Sequence, residues 1–249
     1  MQSSSRPDHA RPFLTWQRIT DWAHAHYRAR TFNKDERIPT RSGLLYLVER
    51  GSVRLVGTAQ GATPDLATRD STSDIEDDAT DDEGSTSLAM GLSEEAFLGF
   101  VGAGQPFEIV AQSPFLLQSF AHVDQTTVLW LYWSDLDNWP HFRREVLDAF
   151  RYQHQRKLLW LSTLGQRRTI DRLLGFLTLL IEEFGEPCES GYYLPWTLTH
   201  AQIGSAIGST RVTVTRLMGK LRQRKLIHIY KDGLIAIPSD QITTREALG

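Results

Sequence analysis

The stretch "LTHAQIGSAIGSTRVTVTRLMGKLRQRKLIHIYKDGLIAI", residues 198–237, decides how the chain is organised. Thr199 is followed three residues later by Gln202. That spacing lets each side chain satisfy the other's orphan backbone N–H, so a helix should start there. Gly208 should end it, and Ser209 or Thr210 can cap a second helix after a tight turn. Ile203, Ile207, Val214 and Leu217 supply apolar contacts where two such helices would meet, and Gly204 supplies the small residue where their backbones cross. These are the requirements of a helix-turn-helix. "LIHIYKDGLIAI" (226–237) follows at once, two strand-like runs around the turn signal Lys231-Asp232-Gly233. A hairpin behind the second helix makes a winged helix.

Residues 208–225 carry six cations and no acid. In the second helix Val214, Leu217 and Leu221 recur every three to four residues and face inward, which leaves Arg211, Val212, Thr215, Arg216 and Gly219 outward. A recognition helix offers its N-terminal residues to base edges in the major groove, and a guanidinium can fork onto guanine O6 and N7. Base contacts are therefore expected from Arg211, Val212, Thr215 and Arg216. Phosphate contacts are expected from Thr199, His200, Ser209, Thr210, Lys220 and Lys231, because flanking cations and helix N-termini take the backbone.

Working towards the N-terminus, "RRTIDRLLGFLTLLIEEFG" (167–185) reads as an amphipathic helix with Gly185 at its end. Before it, Phe142, Val146, Leu147, Phe150, His154, Leu158, Leu161 and Leu164 step by three and four residues. A helix this long exposes a stripe that one small domain cannot cover, so it should pair with a second copy in a coiled-coil-like seam. The seam residues expected are Phe142, Val146, Phe150, His154, Leu158 and Leu161. Residues 15–29 read as a short amphipathic helix, "LLYLVERGSVRLVGT" (44–58) as a β-hairpin, and residues 96–133 as further short strands. The fold class expected is α+β. The domains expected are a β-rich unit over 1–135, a dimerisation helix over 136–165 and the winged helix-turn-helix over 166–249.

The formal net charge of −3 averages two unlike regions. Residues 58–95 hold eleven acids against Arg69, whereas residues 197–249 hold eight bases against three acids. That asymmetry points to a polyanion partner at the C-terminal end. The acidic part, residues 61–87, has almost no large apolar side chain and is expected to be a disordered insertion. No apolar run approaches the roughly 18 residues of a membrane span and no leader pattern opens the sequence, so no membrane association and a cytoplasmic location are expected. Cys188 is the only cysteine, which excludes an internal disulfide, a Cys-ligated cluster and a zinc knuckle. No cofactor or metal is expected.

With these residues in view, the order of helix, strands, long helix and winged helix resembles the Crp/Fnr superfamily of bacterial transcription regulators over about residues 16–238. "RTFNKDERIPTRSGLLYLVERGSVRL" (30–55) looks like the opening strands of that family's barrel, with Gly51 on its conserved-pattern glycine. "IGSTRVTVTRLMGKLR" (207–222) is similar to the recognition helix of the cyanobacterial nitrogen-control branch. The resemblance implies an N-terminal antiparallel double-stranded β-helix, a cupin-like barrel, ahead of the dimerisation helix. It implies that Arg211, Val212 and Arg216 face bases in a GTA…TAC-type palindrome. Double-stranded DNA, a second copy of the chain and RNA polymerase are the partners it implies. The family's cyclic-nucleotide binders hold the phosphate with a Gly-Glu pair and an Arg-Ser/Thr-Ala cassette. Here "GQPFEIVAQSPFLLQSFAHV" (104–123) holds Glu108 and no arginine, so cyclic AMP is not expected as effector. A haem would have to draw on His122, His141 or His154, and a dicarboxylate effector on Arg143, Arg144 or Arg156.

Two other classes of function compete. A cupin enzyme would need closely spaced histidines and a glutamate on strands, and residues 30–135 hold only His122. An interaction module would use residues 61–87 to dock a basic partner, with DNA binding secondary.

Overall fold

The computed structural model describes residues 16–59, 95–110 and 115–239. The acidic stretch 61–87 lies outside them. After helix α1 (Gln17–Ala25) come eight strands: β1 (Ala29–Phe32), β2 (Arg37–Ile38), β3 (Leu44–Arg50), β4 (Ser52–Ala59), β5 (Glu95–Gly102), β6 (Pro106–Phe107), β7 (Phe115–Ala121) and β8 (Thr126–Tyr132). They form two antiparallel four-stranded sheets, β1-β8-β3-β6 and β2-β7-β4-β5. A 3-10 helix (Trp133–Asn138) leads into α2 (Pro140–Leu164) and α3 (Thr169–Phe184). Then follow β9 (Glu186–Cys188), β10 (Gly191–Tyr193), α4 (His200–Ile207), α5 (Arg211–Gln223), β11 (His228–Ile229) and β12 (Ile235–Pro238).

The strands of the first sheet are apolar on both faces, and the structure shows why. Tyr46, Val48 and Val128 point between the two sheets, where they meet Phe32, Ile38, Val53, Val101, Phe107 and Ala121. Their neighbours Leu45, Leu47, Leu129 and Leu131 point the other way, onto α1 and the start of α2 through Trp16, Ile19, Phe142 and Val146. Successive side chains of a strand alternate between faces, so one run of leucines and valines feeds two cores.

The expected hairpin of residues 44–58 is corrected. β3 pairs with β8 and β6, while β4 pairs with β5 and β7. The two strands adjoin in sequence but belong to opposite sheets. The chain changes sheet at Gly51, whose φ of 84° and contact with Thr126 exclude a side chain: a Cβ there would lie 2.5 Å from Thr126 Oγ1. Turn residues mark the corner in the sequence, but they do not say whether the second strand folds back or crosses over.

The wing is also larger than expected. β11 and β12 pair as foreseen, and β12 then pairs with β10 and β10 with β9, giving a four-stranded sheet. β9 and β10 are three residues each, and Pro187 and Glu189-Ser190 disguise them in the sequence.

Helix α2 has two working faces. Phe142, Val146 and Ala149 are buried, and Phe150 packs beside Trp133 with ring centres 6.3 Å apart. Phe142 and Val146 were expected at a seam between two copies; they lie instead in their own chain's core, because α1 and the first sheet already cover that side. Leu147, Leu158 and Leu161 remain 49%, 46% and 62% exposed, and His154 is exposed beside them. This row runs along one exposed face of the helix, with His154 and Leu161 bordering the space between α2 and β5.

Candidate nucleic-acid interface

The helix-turn-helix is built as its residues require. Thr199 Oγ1 accepts from the Gln202 N–H at 3.1 Å, and Gln202 Oε1 accepts from the Thr199 N–H at 2.9 Å. Gly208 ends α4 in the left-handed conformation, with φ 62°. Thr210 then caps α5, its hydroxyl accepting from the Thr213 N–H at 3.2 Å. Gly204 lets the helices cross: a Cβ on it would sit 2.7 Å from the Ser209 carbonyl oxygen. Ile203, Ile207, Val214, Leu217, Met218 and Leu221 are all buried in the core beneath.

This anchoring leaves the other face of α5 to solvent. Arg211, Val212, Thr215, Arg216 and Lys220 are exposed, Val212 at 79%. A bulky apolar side chain so exposed, flanked by two arginines, is what contact with a thymine methyl would need. Thr215 has a second task. Its hydroxyl donates to the Arg211 carbonyl at 3.0 Å and lies 2.8 Å from His200 Nδ1, tying α5 to the first turn of α4. Thr199, Thr210 and Lys231 are exposed, and His200 and Ser209 half-buried, around the same face and the wing. The Lys231 turn is held by the Gly233 N–H donating to the Tyr230 carbonyl at 3.0 Å.

The helix-turn-helix unit does not stand apart from the barrel, and here sequence reasoning missed the decisive residue. Phe97, on β5, is buried in the core of α3, α4 and α5 rather than in the barrel. Its ring meets Phe100, Trp160 and Phe176 with centres 4.9, 5.4 and 6.0 Å away, and its N–H donates to Ser205 Oγ on α4 at 3.1 Å. The run "FLGFV" (97–101), apolar in both alternating registers, is the signal that could have marked a strand covered on both sides. A second contact joins Phe100 and His122 of the barrel to Phe184 and Trp196, with ring centres 4.6–6.5 Å apart. A third is polar. Arg156 on α2 donates to Glu182, Glu183 and the Leu179 carbonyl, and Gln105 donates to Glu183 at 2.9 Å. Burial raises the Glu183 pKa, opposed by Gln105 and Arg156.

Between β5, α2 and α3 lies a cavity of about 200 Å³ walled by aromatic rings, with Gln153, His154 and Lys157 on its α2 side. Of the three arginines considered for an acid effector, Arg156 is engaged with Glu182 and Glu183, and Arg143 pairs with Asp137 at 2.8 Å. The three histidines considered for a haem are not brought together as a ligand set: His122 is buried between Phe100 and Trp196, and His141 and His154 are exposed. Among the described residues no group of three or more His, Cys, Asp or Glu could hold a metal ion. No described helix is long and apolar enough to cross a membrane.

Comparison with known proteins agrees with this geometry. Residues 171–240 match the Crp-like helix-turn-helix domain. The chain is 48% identical over 73 residues to the global nitrogen regulator of Nostoc sp., covering 29% of this chain and 33% of that protein. It is 48% identical over 92 residues to the global nitrogen regulator of Synechococcus elongatus, covering 37% and 41%. The chain thus aligns with well under half the length of these relatives. In overall fold it is similar to a CRP-family transcriptional regulator of Thermus thermophilus, with a TM-score of 0.59 at 19% identity over 88% of this chain and 97% of the other.

Paired antiparallel sheets, a long helix and a winged helix-turn-helix are arranged as in that CRP-family regulator, and residues 171–240 match the Crp-like helix-turn-helix domain. Beyond that domain match, the chain is similar over part of its length to the cyanobacterial global nitrogen regulators.

Proposed function

We propose that this chain is a sequence-specific transcription regulator that binds DNA as a homodimer, reads a palindromic GTA…TAC-like site and works without cyclic AMP. The observation that carries the reading is the exposed face of α5, where Arg211, Val212 and Arg216 project from a helix anchored by Val214, Leu217 and Leu221. The match of residues 171–240 to the Crp-like helix-turn-helix domain includes this helix. Arg216→Ala should weaken binding to the preferred palindrome by about 1–3 kcal/mol and relax base preference, while Lys220→Ala should weaken all sequences alike. Site selection from random DNA followed by titration of the selected site checks both, and repeating the titration with cyclic AMP should change nothing. An Arg216→Ala protein with unchanged motif and affinity would overturn the docking.

Dimerisation is proposed through the open row of α2, Leu147, His154, Leu158 and Leu161, with Phe150 at its edge. Leu158→Glu should turn the dimer into monomers in light scattering, because it places like charges face to face in an apolar seam. Affinity for the full palindrome should then collapse towards that of a half-site. A wild-type monomer, or a Leu158→Glu dimer, would refute this arrangement.

A further inference from the structure

A groove of about 600 Å³ opens where β5, the end of α2, the start of α3 and the helix-turn-helix turn converge. It shares Phe97, Leu98, Lys157 and Trp160 with the smaller aromatic cavity and runs to Ser205, Ala206, Ile207 and Gly208, the residues just before the recognition helix. Leu164 completes an apolar wall, and Leu161 at its rim borders the α2 row proposed for dimerisation.

The charges are one-sided. Among the described residues Lys157 and Arg172 are the charged residues of the lining, and no described acid lines it with them. Neither makes an ion pair among the described residues. Arg172 donates two long hydrogen bonds, to the Gln166 carbonyl at 3.4 Å and to Thr169 Oγ1 at 3.3 Å, and among the described residues its buried Nε has no hydrogen-bond partner. A guanidinium beside apolar surface is stabilised by an oxyanion more than by long contacts to neutral groups.

We propose that this groove binds a small amphipathic carboxylate, its apolar body against Phe97, Leu98, Trp160 and Leu164 and its carboxylate between Lys157 and Arg172. The charge pattern selects an anion, and the depth of apolar wall selects one with a hydrocarbon or aromatic body. A molecule seated there touches β5 and α2 on one side and the turn into α5 on the other. Its occupancy therefore sets how the reading head is held against the barrel. That consequence rests on the DNA-binding reading; the site itself does not.

The test uses octanoate as the probe and 1-octanol as its uncharged counterpart, by calorimetry on the full chain without DNA. Octanoate should bind with a dissociation constant of about 1 mM or tighter, as expected for a ligand of this size. Octanol should bind about tenfold more weakly, for want of the charge-assisted hydrogen bonds. Lys157 is exposed, so Lys157→Gln should leave the fold intact while weakening octanoate about tenfold. Octanoate should also raise the thermal midpoint of the wild type and not that of Lys157→Gln. No octanoate binding, equal binding of octanol, or undiminished binding by Lys157→Gln would each overturn the site. Binding that leaves affinity for the selected DNA site unchanged would overturn its regulatory role alone.

Discussion

Phe97→Ala should destabilise the chain by about 3–5 kcal/mol, the range for removing a buried phenylalanine from a packed core. Phe97 is 8% exposed and touches Phe100, Trp160 and Phe176, so its loss opens a cavity where the barrel strand β5, helix α2 and the helix-turn-helix unit meet. The effect should not be confined to one domain. Phe97 is the barrel residue buried within the core of α3, α4 and α5, so its removal should uncouple the two units and split one cooperative urea transition into two. Following unfolding by tryptophan fluorescence and by circular dichroism would show the two probes parting company. A loss under about 1 kcal/mol with a single transition would mean that the barrel and the reading head are not held together here.

His122 should make the same junction sensitive to acid. It is 2% exposed between Phe100 and Trp196, and burial, followed by the charges of Arg54 and Lys34, lowers its pKa from 6.5 to about 4; Asp35 and the Thr197 backbone oppose the shift. The native state therefore holds His122 neutral, whereas the unfolded chain takes up a proton below about pH 6.5. The stability tied to the neutral ring is fully present above that pH and is lost as pH falls towards about 4. Between pH 7.5 and 5 the loss should be about 2 kcal/mol from this residue. His122→Phe, which keeps the ring stack and cannot titrate, should remove that part of the slope. Wild type and variant with equal pH dependence in urea titrations would show that the imidazole is not held neutral.

The reading head was legible because its determinants are local. Thr199 with Gln202, Gly208, Thr210 and the spacing of Val214, Leu217 and Leu221 act within one or two turns of chain, and caps and helical periodicity are short-range effects. The same holds for the boundaries of α2 and α3, which periodicity marks directly. β9 and β10 were hidden because three residues are too few for alternation to show.

What the sequence determined by itself was therefore the order of the elements, the caps and crossing of the helix-turn-helix, and which residues of α5 look outward. What only the tertiary structure decided was partnership. The text of β3 and β4 reads alike whether the strands pair or part, and the register of a sheet is settled by residues up to about a hundred positions away, as the pairing of Ala29 with Leu129 shows. The apolar stripe of α2 likewise does not say which of its leucines meet the barrel and which stay open. Nor does "FLGFV" say that Phe97 crosses into another domain's core. Alternation and periodicity fix the direction in which a side chain points from its own backbone; what it meets depends on contacts distant in sequence, which form only when the whole chain has packed.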